Sequence, residues 1–268
     1  MARNSALDLM QGEYVAFFDS DDYVCKEWLA NIHAGIQAHP GIDWIRTHYR
    51  DWHENEKPED AKPWPIGHVF NDVSEYFAEV GDIGFQKLAI LALTTINIYC
   101  RDVVRESRFP VGIKIGEDFL FFNYLLKYIT SLQVIEDDSY RYRIRRGSTS
   151  HKIVNINDFK YVLSVVPEIW ETISVAPKYT TYWLRKFYLH YTPYLNSHGW
   201  SDGMKCSHLM KNLHARGWFD ISYLPTRIER NRWRLFLLTG FFQMFSLPRP
   251  KELLRKVLSK IRRFFRGN

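Results

Sequence analysis

The sequence predicts an α/β domain that continues into a helical extension, and three observations support this fold class. The 268 residues, 46% of them hydrophobic, are enough to bury one sizeable core. Tyr14 to Phe18 form a continuous apolar run, which is typical of a strand covered on both faces in a mostly parallel sheet. After about residue 151 the strand-like runs stop, and apolar residues recur every three or four positions over 157–175, 178–196 and 202–216.

The part of the chain before residue 151 alternates between helical and strand-like patterns. Residues 2–10 are predicted as a short helix that Gly12 ends, and the apolar run 14–18 follows it. The next helix ends at Pro40-Gly41, because neither residue continues a helix easily. The remaining elements are predicted as helices over 26–38, 72–80 and 117–129 and as strands over 42–49, 94–100, 132–136 and 139–145.

The positive charge of the chain is concentrated in its C-terminal tail. Residues 249–268 carry eight Lys or Arg against one acid, Glu252, so the tail has a net charge of +7. Because the whole chain has a net charge of +6, residues 1–248 sum to −1. This neutral body excludes a general nucleic-acid-binding protein. Three Cys residues stand far apart, in no metal-binding or redox spacing. This pattern predicts a protein without disulfides that resides in a reducing cytoplasm.

The basic tail also has the pattern of an amphipathic helix. Leu253, Val257, Ile261 and Phe264 share one helical face, and Lys and Arg residues occupy the other. The sequence has no signal peptide and no run of the ~18–20 apolar residues that span a bilayer. We therefore predict a cytoplasmic protein that binds the anionic inner face of the cell membrane through the tail. The alternative is that the tail packs on its own domain.

An acidic cluster, Asp19-Ser20-Asp21-Asp22, directly follows the apolar run. Open α/β sheets place their ligands at the carboxyl ends of strands, and closely spaced carboxylates suit a hard cation such as Mg²⁺ or Mn²⁺. A solvated acidic turn that caps the next helix is an alternative. An EF-hand is excluded, because the Gly and Glu of its loop are missing. A haloacid-dehalogenase-type phosphatase, with Asp19 as nucleophile, also has an Asp-x-Asp after an apolar strand and is a competing interpretation.

Three segments, in order, resemble those of family 2 glycosyltransferases. The first combines Ala2-Arg3-Asn4 and Gly12-Glu13-Tyr14 with Phe17 to Asp22, and is similar to the family's "ARN…GEY…F-DSDD" run. Ile115 to Phe121 resembles its "GED" segment, and Tyr142 to His151 resembles its "YRIR-GS-T-H" segment. Each segment alone is a weak signal, whereas the ordered set is specific. The resemblance covers about residues 2–151 and departs from the family at Ala6, where a Gly is usual.

The resemblance implies a GT-A fold, a Rossmann-like α/β fold with a mixed sheet that is incomplete at its N-terminus. It places the partial catalytic domain at 1–151, a helical extension at 152–248 and the basic amphipathic helix at 249–268. The family's nucleotide-binding βαβ unit would precede this chain. We therefore expect an exposed apolar edge on strand 14–18 and weak binding of nucleotide sugar by the chain alone.

The resemblance also implies an inverting transfer of a sugar from a nucleotide-diphospho-sugar, with a UDP-sugar as the expected donor. Asp21 would bind the divalent metal (Mn or Mg). Asp19 would lie near the ribose and Asp22 would support the turn, and each of these two is also a candidate metal ligand. Asp118 would be the general base and Glu117 its alternative. Both acids could instead be helix N-terminal residues placed by electrostatics alone.

Further residues are implied as contacts of the diphosphate. Arg3, Arg143, Arg145 and Ser148 are predicted to bind it, because a guanidinium binds phosphate through two hydrogen bonds. Solvated arginines at a strand edge are the alternative. His151 is a further candidate metal ligand, or else a surface residue.

Trp52 and Trp64 are candidates for stacking on acceptor sugars and are not assigned to the site. The leading interpretation is thus an enzyme that glycosylates a saccharide or lipid-linked acceptor in surface polysaccharide synthesis. The alternatives are the phosphatase and an inactive truncated remnant that binds a membrane or a partner protein.

Overall fold

The structure, a computed structural model, describes residues 2–53, 67–83, 93–113, 116–144, 156–171, 177–198 and 200–239. Within these ranges the helices are α1 (Ala2–Leu9), α2 (Trp28–Ala38), α3 (Val73–Ile83), α4 (Arg101–Val104), α5 (Glu117–Leu126), α6 (Ile156–Glu171), α7 (Pro177–His198), α8 (Trp200–Ala215) and α9 (Arg227–Thr239). The strands are β1 (Tyr14–Ala16), β2 (Tyr23–Val24), β3 (Trp44–Arg46), β4 (Tyr49–His53), β5 (Val69–Phe70), β6 (Asn97–Cys100), β7 (Leu132–Val134) and β8 (Tyr140–Ile144).

The main sheet has five strands in the order β1-β6-β3-β7-β5. Only the β3–β7 pair is parallel among its four pairs, so the sheet is mixed, as the family resemblance implies, although the apolar run 14–18 is typical of a mostly parallel sheet. In the described part of the chain β1 pairs with β6 alone and forms an edge of the sheet. Ala16 is exposed and Phe18 is 49% exposed, so this strand is not covered on both faces as predicted.

A second, three-stranded sheet has the order β2-β8-β4. The single strand predicted over 42–49 is in fact divided between the two sheets, with β3 in the first and β4 in the second. The division occurs at two residues whose amides bond to different neighbours: Thr47 donates to the carbonyl of Ile96 and His48 to that of Asp137. The strand predicted over 94–100 likewise begins as a 3₁₀ turn, Thr94–Ile96, before β6.

The hydrophobic core runs from the α/β part into the helical part without a break. Helix α5 lies at its centre, where Leu120, Phe121 and Phe122 are completely buried. The same cluster contains Leu7 of α1 and Trp233 of α9. The helices predicted after residue 151 are confirmed over α6, α7 and α8, and they pack on one another and on α5. The predicted boundary at 151 thus separates segments of the chain that share one core.

None of the described helices has the length and apolar character needed to cross a membrane. The predicted amphipathic helix at 249–268 lies outside the described residues.

Candidate active site

The acidic cluster forms a tight turn between β1 and β2. The amide of Asp22 donates to the carbonyl of Asp19 at 3.0 Å, which closes the turn after the buried side chain of Phe17. The three carboxylates therefore stand at the end of β1, as the sequence predicted, and are partly exposed. The two ends of this acidic turn, Asp19 and Asp22, contact different parts of the molecule.

Arg3 of α1 joins the start of the acidic turn to the start of α5. Its Nη2 donates to Asp19 Oδ1 at 2.9 Å and its Nη1 donates to Asp118 Oδ1 at 2.6 Å. The carboxylate of Glu117 lies 3.9 Å from the same Nη1. One guanidinium thus brings together three carboxylates from two segments, the acidic turn and the first turn of α5. All three are predicted site residues, and the four side chains are each about one-third exposed.

The position of Arg3 is fixed by its neighbours in the loop before α5. Asn4 makes two hydrogen bonds to the backbone of Phe109, with its Nδ2 donating to the carbonyl at 2.9 Å and its Oδ1 accepting from the amide at 2.8 Å. The guanidinium of Arg3 lies 5.3 Å from the centre of the Phe109 ring. That ring stacks on Phe121 of α5, with centroids 3.8 Å apart. We call the Asn4–Phe109 pair of hydrogen bonds the Asn4 clip.

The two acids of α5 occupy its first turn, where the helix dipole favours negative charge. Gly116 precedes them with φ of +89°, a conformation that only Gly adopts readily, and a Cβ there would meet Phe187 and Val162 at 3.2 Å. Burial and the neighbouring charge of Asp118 raise the pKa of Glu117 to about 7. Burial also raises the pKa of Asp118, while the charge of Arg3 opposes that rise.

Asp22, at the other end of the turn, is bonded to β8. Its Oδ2 accepts a hydrogen bond from the Tyr140 hydroxyl at 2.5 Å, and its Oδ1 accepts one from the Arg143 amide at 2.9 Å. Burial raises its pKa, while these two hydrogen bonds lower it. Asp22 therefore anchors the turn to the second sheet, an arrangement that suits the supporting role predicted for it.

The remaining predicted residues fall into two groups. The guanidinium of Arg143 lies 5.7 Å from the ring centre of Trp52, so both belong to the surface next to the turn. Arg145, Ser148 and His151 lie outside the described residues, as does Trp64. Their roles stay predictions from the sequence.

The described side chains alone do not assemble a metal cage. No group of three or more His, Cys, Asp or Glu able to hold an ion is present among the described residues. Magnesium in nucleotide sites is usually bound by one or two carboxylates, water and substrate phosphates. Asp19 and Asp21 are partly exposed in the acidic turn and carry hard oxygen atoms of the kind that such a site uses, and Asp19 lies beside Arg3.

Two supporting residues of the site had no role in the sequence analysis. Tyr140 is buried in the second sheet and holds Asp22, and Asn4 holds the loop that carries Phe109. Asn4 is adjacent to Arg3 in the first family-like segment, and this was the one signal that could have identified it. Tyr140 gave no such signal, because its partner lies 118 residues away along the chain.

Residues 1–93 match the family model of Glycosyl transferase family 2. Among curated proteins, the chain is 29% identical over 163 residues to the glycosyltransferase GlyA of Streptococcus pneumoniae serotype 4, covering 56% of this chain and 21% of GlyA. It is 24% identical over 231 residues to the poly(ribitol-phosphate) beta-N-acetylglucosaminyltransferase TarS of Staphylococcus aureus, covering 85% of this chain and 38% of TarS. The minor teichoic acid biosynthesis protein GgaB of Bacillus subtilis is 24% identical over 56% of this chain and 16% of its own length.

A solved structure shows the same fold. Residues 1–349 of S. aureus TarS superpose with a TM-score of 0.52 at 17% identity, covering 91% of this chain and 67% of that one. The predicted GT-A-like fold with its helical extension is thereby confirmed. The chain spans well under half the length of the curated relatives that it matches. The family match overturns the phosphatase alternative, because the Asp-x-Asp run lies within the matched residues.

Proposed function

The chain belongs to glycosyltransferase family 2 through its residues 1–93, and from this premise we propose that it transfers a sugar from a nucleotide-diphospho-sugar to a saccharide or lipid-linked acceptor. We further propose that the product is a surface polysaccharide or a related cell-wall polymer. Relatives named for teichoic acid synthesis and for modification of poly(ribitol phosphate) support this proposal.

One observation carries the assignment of the site. Arg3 contacts Asp19 of the acidic turn and Asp118 of α5, residues that are 99 positions apart in the chain, at hydrogen-bond distance. A group that binds the donor phosphate and a group that takes up the acceptor proton must lie in one site, because donor and acceptor react together there. The arrangement supports this requirement with a positive charge for the diphosphate and a carboxylate for the acceptor.

The proposed reaction is an in-line displacement with inversion. The acceptor hydroxyl forms the new C–O bond at the anomeric carbon as the bond to the diphosphate breaks, and its proton passes to Asp118. A pKa raised by burial makes Asp118 a better base than an exposed aspartate. Glu117, one residue earlier on the same helix turn, is proposed to orient the acceptor or to serve as the alternative base.

The leaving nucleoside diphosphate gains negative charge, and its stabilisation falls to cationic groups. Arg3 is proposed to bind the diphosphate, with Arg143, Arg145 and Ser148 as the further contacts predicted from the sequence. A divalent Mn or Mg ion would be held by Asp21 with Asp19, supported by Asp22 and with His151 as a candidate ligand. When bound, such an ion neutralises phosphate charge.

The proposed donor is a UDP-sugar, and the proposed location is the cytoplasmic face of the cell membrane, reached through the basic tail 249–268. Deletion of the tail should then reduce co-sedimentation of the protein with vesicles of anionic lipid. The reduction should be smaller with vesicles of neutral lipid. Unchanged co-sedimentation would contradict the membrane proposal and leave the enzymatic one intact.

The function is tested by the release of nucleoside diphosphate from a panel of UDP-sugars, with Mn²⁺, in the presence and absence of ribitol-phosphate oligomers. We expect release with at least one donor, an increase on addition of acceptor, and a loss of release in Asp21→Asn. Release that is absent with every donor, or that survives both Asp21→Asn and Asp118→Asn, would contradict the proposal. The inactive-remnant alternative predicts the first of these outcomes.

A further inference from the structure

An aromatic pair stands on the second sheet, directly beside the acidic turn. Tyr23 of β2 lies opposite Arg141 of β8, and Trp52 of β4 lies opposite Arg143 of β8. Side chains two residues apart on a strand share a face, so Arg141 and Arg143 point the same way. Tyr23 and Trp52 therefore share one face of this sheet with Arg141 and Arg143, and we call the two aromatic residues the aromatic platform.

The platform residues contact each other, and one of them contacts Arg143. The rings of Tyr23 and Trp52 have centroids 6.2 Å apart at an angle of 50°, and the guanidinium of Arg143 lies 5.7 Å from the Trp52 ring centre. Cation–π contact of this kind fixes the orientation of the indole before any ligand arrives. Tyr23 is nevertheless 43% exposed.

The hydrophobic core does not account for this aromatic pair. The core contact of the second sheet is made on its opposite face, where Tyr140 packs against Trp28 and Phe18. Neither Tyr23 nor Trp52 belongs to a buried hydrophobic cluster in the described part of the chain. Their rings thus lie on the face that is turned away from the core.

The platform is continuous with the candidate active site. Tyr23 is the residue that follows Asp22, and the Arg143 amide donates to the Asp22 carboxylate at 2.9 Å. The other end of the same turn holds Asp19 and its ion pair with Arg3. The aromatic platform, a surface that could hold a second ligand, therefore adjoins the Asp22 end of the acidic turn, whereas the ion pair with Arg3 lies at the Asp19 end.

We propose that the aromatic platform is an acceptor subsite that binds a sugar or polyol unit of the acceptor chain beyond the unit that reacts. This inference rests on the proposed function. The charged end of the turn suits a diphosphate, whereas aromatic rings with one cation beside them suit the C–H face and the hydroxyls of a saccharide or polyol. The platform adjoins one end of the acidic turn, and Arg3 joins the other end to Asp118, so the platform is a surface next to the proposed reaction site on which a further unit of the acceptor can lie.

The test is the dependence of transfer on acceptor length, measured with short and long ribitol-phosphate oligomers and a UDP-sugar that the protein uses. Trp52→Ala and Tyr23→Ala should raise the KM for long oligomers roughly five- to tenfold, and the KM for the shortest much less. In Tyr23→Ala the KM for the donor and the slow release of UDP in water should not change. Trp52→Phe, which keeps an aromatic face, should recover most of the affinity.

Tyr128→Ala provides the matched control, because Tyr128 is likewise exposed, at 40%, and has a cation near its ring, with Lys127 Nζ 4.6 Å from the ring centre, but follows the C-terminal end of α5 outside the second sheet. This variant should leave every constant unchanged. The inference is overturned if a platform variant raises the KM of all oligomers equally, or if Tyr23→Ala raises the KM of the donor. Donor hydrolysis without transfer to any oligomer also overturns it, whereas the absence of donor hydrolysis contradicts the proposed function itself.

Discussion

At the scale of single residues, the candidate site is organised around one guanidinium and the acids that surround it. Arg3 holds Asp19 and Asp118 by direct hydrogen bonds and lies near Glu117. Three carboxylates in so small a space repel one another, and the positive charge offsets that repulsion. The same guanidinium is the group proposed to bind the diphosphate of the donor.

Replacement of Arg3 by Ala should lower kcat/KM about 10²-fold or more, since a cationic contact to the leaving group is lost. It should also raise the pKa of Asp118, because the charge of Arg3 lowers that pKa in the native protein. The acid limb of the pH profile of kcat/KM should then move to higher pH. Arg101→Ala, which removes an exposed arginine bonded to the Gln11 carbonyl, is the control and should leave the profile unchanged. An unshifted acid limb in Arg3→Ala would contradict the pairing of Arg3 with the base.

Replacement of Glu117 by Gln should stabilise the protein at alkaline pH. The pKa of Glu117 is raised to about 7, above its ordinary value of 4.5, so between these values the folded state keeps a proton that the unfolded state has lost. The free energy of unfolding therefore falls as the pH rises through this window. We expect Glu117→Gln to be more stable than the native protein at pH 8, by about 1–2 kcal/mol with solvent screening allowed for.

Denaturant unfolding at pH 4 and pH 8 tests the effect of Glu117→Gln. The gain in stability should vanish at the lower pH, where both states of the native protein hold the proton. An equal gain at both values would show that the substitution acts through packing and not through charge.

At the scale of elements, the site depends on how α1 is held against the loop before α5. The Asn4 clip links two segments that are 105 residues apart, and Phe109 carries the link on to Phe121 of α5. The guanidinium of Arg3 lies on that same ring. The position of the arginine therefore follows from the docking of two elements and not from α1 alone.

Asn4→Ala should destabilise the protein by about 2 kcal/mol, because two hydrogen bonds are lost and the Phe109 amide is left without its partner. For a protein of this size the melting temperature should fall by about 4–8 °C. Asp8→Ala breaks an exposed ion pair with Arg108 and is the control, with an expected change within about 1 kcal/mol. Equal melting temperatures for Asn4→Ala and the native protein would show that the clip is not needed.

Sequence patterns predicted the bounds of helices and strands better than they predicted which distant residues each element contacts. The helices α1, α2, α5, α6, α7 and α8 begin and end within a few residues of the predicted bounds, because apolar spacing and Gly or Pro stops act locally. The division of 42–49 into β3 and β4 could not be predicted, since it depends on carbonyl groups of Ile96 and Asp137 far along the chain. The roles of Asn4 and Tyr140 could not be predicted for the same reason, because their hydrogen-bond partners lie more than 100 residues away along the chain.

The proximity of Asp19 and Asp118 was predictable only in part. Their order in the family-like segments implied a shared site, and the contacts of both with Arg3 place them together. The metal, all the diphosphate contacts and the identity of the base stay predictions from the sequence.

At the scale of the whole molecule, the helical part supports the site from behind. Helix α5 carries Asp118 on its first turn and buries Phe119 and Leu120 against a core to which Trp170 of α6 and Trp183 of α7 contribute. A Cβ at Gly116, at the start of α5, would lie 3.2 Å from the ring of Phe187 of α7. The geometry at Asp118 is thus set jointly by the sheet and by helices that lie beyond the family-matched residues.

The central claim is that the acidic turn and the start of α5 form one glycosyl-transfer site in which Asp118 takes the acceptor proton. The most direct measurement is kcat for acceptor-dependent UDP release by Asp118→Asn, in protein whose circular dichroism and melting temperature match those of the native chain. We predict a fall of about 10²- to 10⁴-fold, with binding of UDP and Mn²⁺ retained in calorimetry. A correctly folded Asp118→Asn whose kcat stays within a few-fold of the native value would contradict the account.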